Sequence, residues 1–498
     1  MTTSMISDNN LTNKTFIGMI WILLGKTGNF ILQTIVTIIL ARLLSPQEYG
    51  TVTTALVVIN FCDVFLIHTI TPIIIQKNNL KNEYIGTVRT FSLIIGLILF
   101  IICNLISNQI AIFFGVSKLS IIIKSMSITF IINSLSVVDS AYYQKNMLFK
   151  FISLRQLISY FIGYGIVGMV MAISGFGVWS LIIAYITQSI VNFIVMKVNR
   201  KIPSKFLFHK EFILELVKKS FGYAMGRMGT FFALQGDNFV IGKFLGADVL
   251  GIYGKAYQFF SMPVSYIGEM FEKGLFSALS NCKNDNERFK QYFNNIFTLN
   301  ILTVLPFSIY IYVFSQELII FILGEQWIES SIPFKILSIG ISFRIMYKLC
   351  ESILTSLGFI YKKAIIEIFY AVSIILGALM GVHYGLKEVC WFVLLAVITN
   401  FIIVFTVCIR ELELRPKYII KNNIIPILSS VIIFVLLKLV RKYINIKIKS
   451  IFLKLSVSFI YFGGCYLIIY IAMFKFKELE KLKNVILRVI KEKKDEKR

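Results

Sequence analysis

Apolar residues run along this chain in blocks of about twenty, separated by short polar breaks. A helix of that length crosses roughly 30 Å of hydrocarbon at about 1.5 Å per residue. The pattern predicts about fourteen helices, near 16–41, 47–70, 85–106, 119–141, 152–173, 178–197, 215–241, 249–272, 292–314, 331–356, 361–384, 388–409, 418–440 and 450–474. The seventh, eighth and tenth are the least apolar. No connection is long enough for a soluble domain, which argues against an enzyme with a catalytic ectodomain. The first block follows a polar start, MTTSMISDNNLTNKTF, and is too long for a signal-peptide core, so it is expected to remain as a helix. The expected fold is all-α and polytopic.

Composition agrees with that reading. Hydrophobic residues make up 57% of the chain and charged ones 15%, and the mean hydropathy is +0.78, too apolar for a soluble globular protein. Lysine and arginine in the loops set the orientation. With the N-terminus inside, the inner side receives Lys77, Lys81, Lys145, Lys150, the dense run Lys197, Arg200, Lys201, Lys205 and Lys210, and later Lys362 and Lys363. The outer side receives the uncharged SGFG and the acidic stretch with Glu317, Glu325 and Glu329. One loop breaks the rule: Arg441, Lys442, Lys447 and Lys449 fall outside. Either the last helix pair is misplaced or the earlier helices dominate the topology.

The net charge of +25 (51 − 26) is therefore mostly a positive-inside signature, and no nucleic-acid partner is expected. The last residues, 475–498, carry Phe476, Leu479, Leu482, Ile486 and Val489 at helical spacing among lysines. They read as a basic amphipathic helix on the anionic inner leaflet, or else as a frayed, solvated tail. Seven cysteines without a CxxC spacing read as packing residues, and His68, His209 and His383 lie far apart, so neither a metal site nor a cofactor is expected.

Within the first block stands WILLGKTGNF, where Lys26 lies between glycines. A phosphate loop would need glycine at position 20, which is Ile20, and a strand in water to feed it, so that reading is excluded. A second stretch, YAMGRMGTFF, repeats the pattern: Gly25-Lys26-Thr27-Gly28 faces Gly226-Arg227-Met228-Gly229 at an offset of 201 (227 − 26). At the same offset ARLLSPQEYG (41–50) falls on GKFLGADVLG (242–251), Phe30 on Phe231 and Ala55 on Ala256. These coincidences argue for an internal repeat. An even number of helices separates equivalent points, so the halves share one orientation, an architecture of transporters with the substrate between the halves. Lys26 lies about ten residues inside its helix, roughly 15 Å, where a cation costs on the order of 2.5–3.5 kcal/mol unless water or an anion meets it. Lys26 and Arg227 are the candidate substrate-binding cations. The alternative for each is a pairing with a buried carboxylate such as Asp63, Asp139 or Glu269.

Other ionisable residues fall inside the predicted helices: Asp63, Lys124, Asp139, Asp237, Glu269, Lys273, Arg344, Lys348, Glu351 and Glu367. Arg344, Lys348 and Glu351 share one helical face and form either an ion-pair ladder or a cavity lining. Asp63, Asp139, Asp237 and Glu269 are the candidates for coupling transport to protons or sodium.

ILARLLSPQEYGTVTTALVVINF resembles the opening of polysaccharide-transporter proteins, the Wzx-type flippases of the multidrug/oligosaccharidyl-lipid/polysaccharide exporter superfamily. GDNFVIGKFLGADVLGIYGKAYQF resembles their second-half counterpart, and GVWSLIIAYI, ILGEQWIESSIPFKIL and SLGFIYKKAIIEI follow in the family's order. The resemblance spans essentially the whole chain; Ser277 stands where relatives often have proline. It implies a six-helix lobe over 1–200, a second over 201–409, an extra helix pair over 410–474 and the cytoplasmic tail. It further implies a monomer in the bacterial cytoplasmic membrane, with both termini inside. Such a protein flips polyprenyl-diphosphate-linked oligosaccharides through a cationic cavity, alongside polymerase and assembly proteins, and performs no covalent chemistry. The rival expectations are a drug or organic-cation exporter of the same superfamily and a flippase for the peptidoglycan precursor. A multipass polymerase or glycosyltransferase would display a catalytic loop.

Overall fold

The computed structural model describes residues 2–198, 205–281, 286–414 and 416–474. Among them the chain forms fourteen helical rods and no strand. They are α1 (Thr2–Leu43), α2 (Pro46–Gln76), α3 (Asn82–Phe114), α4 (Leu119–Lys145), α5 (Phe149–Ile173), α6 (Val178–Val198), α7 (Lys210–Phe244) and α8 (Gly246–Asn281). The series continues with α9 (Asn286–Leu323), α10 (Ser331–Ser338 and Gly340–Ser356, broken only at Ile339), α11 (Ile360–Val382), α12 (Leu386–Glu411), α13 (Pro416–Lys447) and α14 (Ile451–Phe474). Every predicted helix has its rod. Eleven of them are long and apolar enough to cross a membrane, and the three others are α7, α8 and α10. These are the segments whose sequence is least apolar. The predicted tail helix, 475–498, lies outside the described residues.

Local chemistry marks the rod ends. Ser45 caps α2 through a reciprocal pair: the Glu48 N–H donates to Ser45 Oγ at 3.3 Å, and the Ser45 N–H donates to Glu48 Oε2 at 2.7 Å. At the repeat-equivalent position Gly246 opens α8 with φ +88°, a conformation glycine adopts without strain. In α5 the residues Phe161–Gly168 are wound as a π-helix. Apolar side chains also face outward along the rods, among them Leu105 and Ile112 on α3 and Ile460 and Ile468 on α14. Hydrocarbon is the surrounding that suits them, and the chain is a multi-pass membrane protein.

Contacts divide the chain into two compact units at Gly254–Lys255. In the first, α4 packs on α2 and α3, α5 on α1 and α6, and α7 on α2 and α3. In the second, α9 packs on α13, and α12 on α10 and α11. The division falls later than the sequence repeat suggests because α7 and the start of α8 join the first unit. The seam between α2 and α7 explains this. Phe61 meets Phe231 at 5.4 Å between ring centroids, Tyr223 donates to Gln76, and Lys77 pairs with Glu215 at 3.1 Å.

The same seam shows the repeat in space. α1 ends at Leu43 and α7 at Phe244, an offset of 201 (244 − 43). Gly50 then packs directly against Gly251: a Cβ added to either would lie 2.9 Å from the other's backbone nitrogen. Added at Gly50 it would also overlap the Ala247 carbonyl, and at Gly251 the Pro46 carbonyl. Thr53 meets its own equivalent, Gly254, in the same manner, 3.5 Å from Cγ2 to an added Cβ. Equivalent residues touching one another mark a local two-fold relation between the α1–α2 and α7–α8 corners.

Because the obstacles are backbone atoms, Gly50→Ala and Gly251→Ala are each expected to cost about 1–3 kcal/mol. Both should lower the thermal unfolding midpoint of the purified protein. Gly463→Ala and Gly464→Ala, where an added Cβ meets nothing within 4 Å, should not.

Candidate functional site

The two glycine-flanked cations sit on helices with different packed partners. On α1, Gly25 lies so close to Ser153 of α5 that a Cβ there would overlap the serine side chain, and a Cβ on Gly28 would touch Leu157 at 3.6 Å. These glycines therefore serve the approach of α5, which Ser153 tightens by donating to the Trp21 carbonyl at 3.2 Å. Lys26 projects off that face and is exposed. On α7, Gly222 and Gly226 face open space. Arg227 is exposed beside them, near enough to His68 of α2 to act on it electrostatically, and it has no ion pair among the described residues. Gly25 of the first copy is thus closed by a helix, whereas its equivalent Gly226 faces open space.

The cations of α10 are placed differently. Arg344 is buried, donates to the Tyr370 hydroxyl of α11, and stacks over the Tyr370 ring at 4.7 Å and the Tyr347 ring at 5.8 Å. Lys348 lays its stem along Gly268 of α8, with Cδ 2.8 Å from where a Cβ would stand. Glu351 pairs across to Lys363 of α11 at 2.7 Å, and Lys363 reaches Glu367 at 3.9 Å. This face of α10 is tied to its neighbours by cation–π contacts and an inter-helix ion pair.

The four candidate coupling carboxylates separate clearly. Asp139 on α4 is buried between Arg89 of α3, which grips both its oxygens, and Lys197 of α6 at 3.1 Å. Asp237 on α7 is buried and accepts from the Tyr253 hydroxyl at 2.6 Å and the Asn238 N–H at 2.8 Å. Glu269 lies outside the described side chains. Asp63 on α2 is 8% exposed, and its Oδ1 has no hydrogen-bond partner. Tyr185 of α6 stands near it and near Thr129 of α4. Tyr164, in the π-helical turn, adjoins Tyr185 and Tyr49 and stacks on Tyr160 at 5.0 Å. Asp63 is thus a buried carboxylate within a membrane-spanning helix, with one tyrosine, Tyr185, near it.

Several buried charges escaped the reading of the sequence. They are Arg89 inside the third helix, Arg155 of α5, which donates to Ser140 at 3.3 Å, and Lys255 of α8, which lies over the Trp327 ring at 5.9 Å. Their signal was available, since each is a charge within a predicted apolar helix. Glu317 and Arg441, assigned to outer loops, instead form a two-point ion pair between α9 and α13, at 3.0 and 3.1 Å. No group of three histidine, cysteine or carboxylate residues that could hold a metal occurs among the described residues.

Known proteins resemble this arrangement at two levels. The sequence model of a family described as polysaccharide biosynthesis protein matches residues 39–332, more than half of the chain. The succinoglycan biosynthesis transport protein ExoT of Rhizobium meliloti (strain 1021) is 25% identical over 309 residues, 62% of each chain. The teichuronic acid biosynthesis protein TuaB of Bacillus subtilis (strain 168) is 23% identical over 66% of this chain and 69% of its own length. The lipopolysaccharide biosynthesis protein WzxC of Escherichia coli (strain K12) is 21% identical over 65% and 66%. The match thus spans about two thirds of these relatives. In fold, the chain is similar to the lipid II flippase MurJ in an inward closed conformation (TM-score 0.77, 16% identity, 92% of this chain and 99% of that one). It is also similar to an inward-facing MATE multidrug transporter of the MOP superfamily (TM-score 0.61, 13% identity, 77% and 94%).

The ion-pair geometry yields a stability contrast. Asp139→Asn strands Arg89 in the packed interior and is expected to cost about 3–5 kcal/mol. Asp63→Asn removes no bond and should leave the thermal unfolding midpoint unchanged or raise it. Equal losses for the two variants would contradict the partner assignment.

Proposed function

We propose that this chain, which belongs to the polysaccharide biosynthesis protein family, is a flippase that carries lipid-linked oligosaccharide across the bacterial cytoplasmic membrane. The cargo is an oligosaccharide joined to a polyprenyl lipid by a diphosphate, the repeat unit of a surface polysaccharide. The family supports the cargo class. The observation that carries the mechanism is the recurrence of one exposed, glycine-flanked cation at repeat-equivalent positions of α1, which is apolar enough to span a membrane, and of the less apolar α7. A cation held at that depth favours a dianionic head group, and arginine can grip phosphate at two points.

In this reading Lys26 and Arg227 draw the diphosphate into a wet cavity by charge, while the polyprenyl tail stays in hydrocarbon. The cavity opens to the inner face first and then to the outer face, and the head group leaves there. Arg344 and Lys348 supply further positive charge in the second unit. Nothing is cleaved or formed, so the protein is a carrier and not an enzyme. Asp63 is the coupling carboxylate: it is buried, its Oδ1 is unpartnered, and it can take and release a proton without breaking an ion pair. The proposed architecture has lobes over 1–200 and 201–409, an extra helix pair over 410–474 and an inward-facing tail. Both termini face the cytoplasm, the chain acts as a monomer, and polymerase and assembly proteins take the product onward. A drug exporter would favour carboxylate and aromatic groups at the cavity in place of paired cations. Likeness to a peptidoglycan-precursor flippase rests on fold alone.

The test uses the native host with the gene deleted, complemented by wild type, Lys26→Ala, Arg227→Ala or the double variant, each confirmed in the membrane. Deletion is expected to abolish surface polymer and accumulate intact precursor on the inner leaflet. The double variant should fail to restore export, with tenfold or greater loss on the order of two lost charge-assisted contacts. Normal export and precursor levels after deletion, in a host without a second flippase, would overturn the reading. Separately, a protonophore should slow export by the wild type but leave the residual export of Asp63→Asn unchanged. Equal sensitivity of the two would remove Asp63 from the coupling.

A further inference from the structure

The corner between α13 and α14 is the place where the sequence breaks the positive-inside rule, and the structure shows what its charges meet. From Leu414 to Phe474 the chain has nine lysines and arginines and no aspartate or glutamate, and six of the nine fall between 438 and 454. Two of these six are occupied within the protein. Arg441 is neutralised by buried Glu317 of α9, and Lys438 lies over the Phe434 ring at 4.7 Å. Lys442, Lys447 and Lys449 are exposed and Lys454 is half-exposed, none of them with an ion pair among the described residues.

The same surface is apolar between its lysines. Leu439, Tyr443 and Ile446 recur on one face of α13 and are 62%, 64% and 75% exposed, and Phe452 and Leu453 open α14 with similar exposure. The opposite face, with Leu437, Arg441 and Ile444, is turned to the protein. Water would leave the apolar residues unsatisfied, and an acidic protein would neutralise the lysines while covering apolar side chains that sit at a membrane-spanning helix end. A bilayer interface satisfies both at once: the apolar residues enter the acyl boundary and the lysine stems carry their ammonium groups up to the phosphates. The chain's own C-terminal segment cannot supply the anion, because residues 475–498 carry ten basic and five acidic residues, a net +5 (10 − 5).

We propose that the α13–α14 corner is a docking surface for anionic phospholipid head groups of the surrounding bilayer. Lys442, Lys447 and Lys449 contact the phosphates, and Tyr443, Ile446 and Phe452 set the depth. Docked lipid holds the last helix pair at the membrane surface and offsets the local excess of positive charge. This role is independent of the cargo that the protein moves.

The test is native mass spectrometry of the full-length protein in detergent with added phosphatidylglycerol or phosphatidylcholine of matched chains. The wild type is expected to retain phosphatidylglycerol preferentially. The K442Q/K447Q/K449Q variant should lose that preference, by about fivefold for each lysine removed. These side chains are exposed, so its unfolding midpoint should match the wild type. The charge-matched variant K81Q/K205Q/K210Q, altered at exposed lysines elsewhere, should retain the preference. Undiminished phosphatidylglycerol binding by K442Q/K447Q/K449Q would overturn the proposal. Equal loss in both triple variants would do so too, because binding would then follow net charge and not this surface.

Discussion

An ionised side chain in hydrocarbon must find a partner or water, and this constraint orders most of the polar interior of the molecule. Arg89, Asp139 and Lys197 answer it as a three-residue cluster that ties α3, α4 and α6 together. Glu317 and Arg441 answer it as a pair between α9 and α13. Arg344 answers it with the rings and hydroxyl of tyrosines, and Asp237 with a tyrosine hydroxyl and a backbone N–H. Once those are accounted for, Arg227 and Asp63 stand out because no comparable partner meets them among the described residues. Lys26 stands at the position equivalent to Arg227 in the repeat, 201 residues earlier. The ionisable residues thus include those held by an opposite charge or a ring and those, Arg227 and Asp63, that have no ion pair among the described residues.

Glycine supplies the second organising constraint. Gly50 and Gly251 allow two backbones to approach more closely than any side chain would permit, and they do so at equivalent positions of the repeat. Close approach of this kind is how membrane helices associate when apolar burial offers little advantage over lipid. The contact couples the α1–α2 corner to the α7–α8 corner, and the α2–α7 seam continues it through Phe61 and Phe231 to Lys77 and Glu215. The two copies of the motif are nevertheless not equal in detail. Ser45 begins α2 with a side-chain cap, whereas Gly246 begins α8 with a left-handed backbone.

Hydrophobic periodicity located the helices: each of the fourteen predicted segments became a rod, and for the eleven apolar enough to cross a membrane a helix is the way such a run satisfies its backbone in hydrocarbon. Even the weak segments could be identified, and α10 is weak because Arg344, Lys348 and Glu351 interrupt its apolar run. The repeat offset also survived, down to the matching ends of α1 and α7. What sequence could not supply was pairing across helices. Asp139 reads in the sequence as a lone intramembrane carboxylate, and only the structure sets Arg89, fifty residues away, against it. Glu317 and Arg441 looked like loop charges on the strength of helix boundaries drawn a few residues short. Gly25 and Gly28 could have faced a head group or a helix, and only the position of α5 decided for the helix.

The central claim is that this chain by itself carries a diphosphate-linked oligosaccharide across a bilayer, with Lys26 and Arg227 as the anion-binding pair. The most direct measurement reconstitutes the purified protein into vesicles holding such a lipid on the inner leaflet and follows its exposure to an impermeant glycosidase outside. The wild type should expose the oligosaccharide far faster than protein-free vesicles, and the Lys26→Ala/Arg227→Ala protein should fall close to the protein-free rate. A wild-type rate no greater than that of empty vesicles, or a double variant as fast as wild type, would contradict the account.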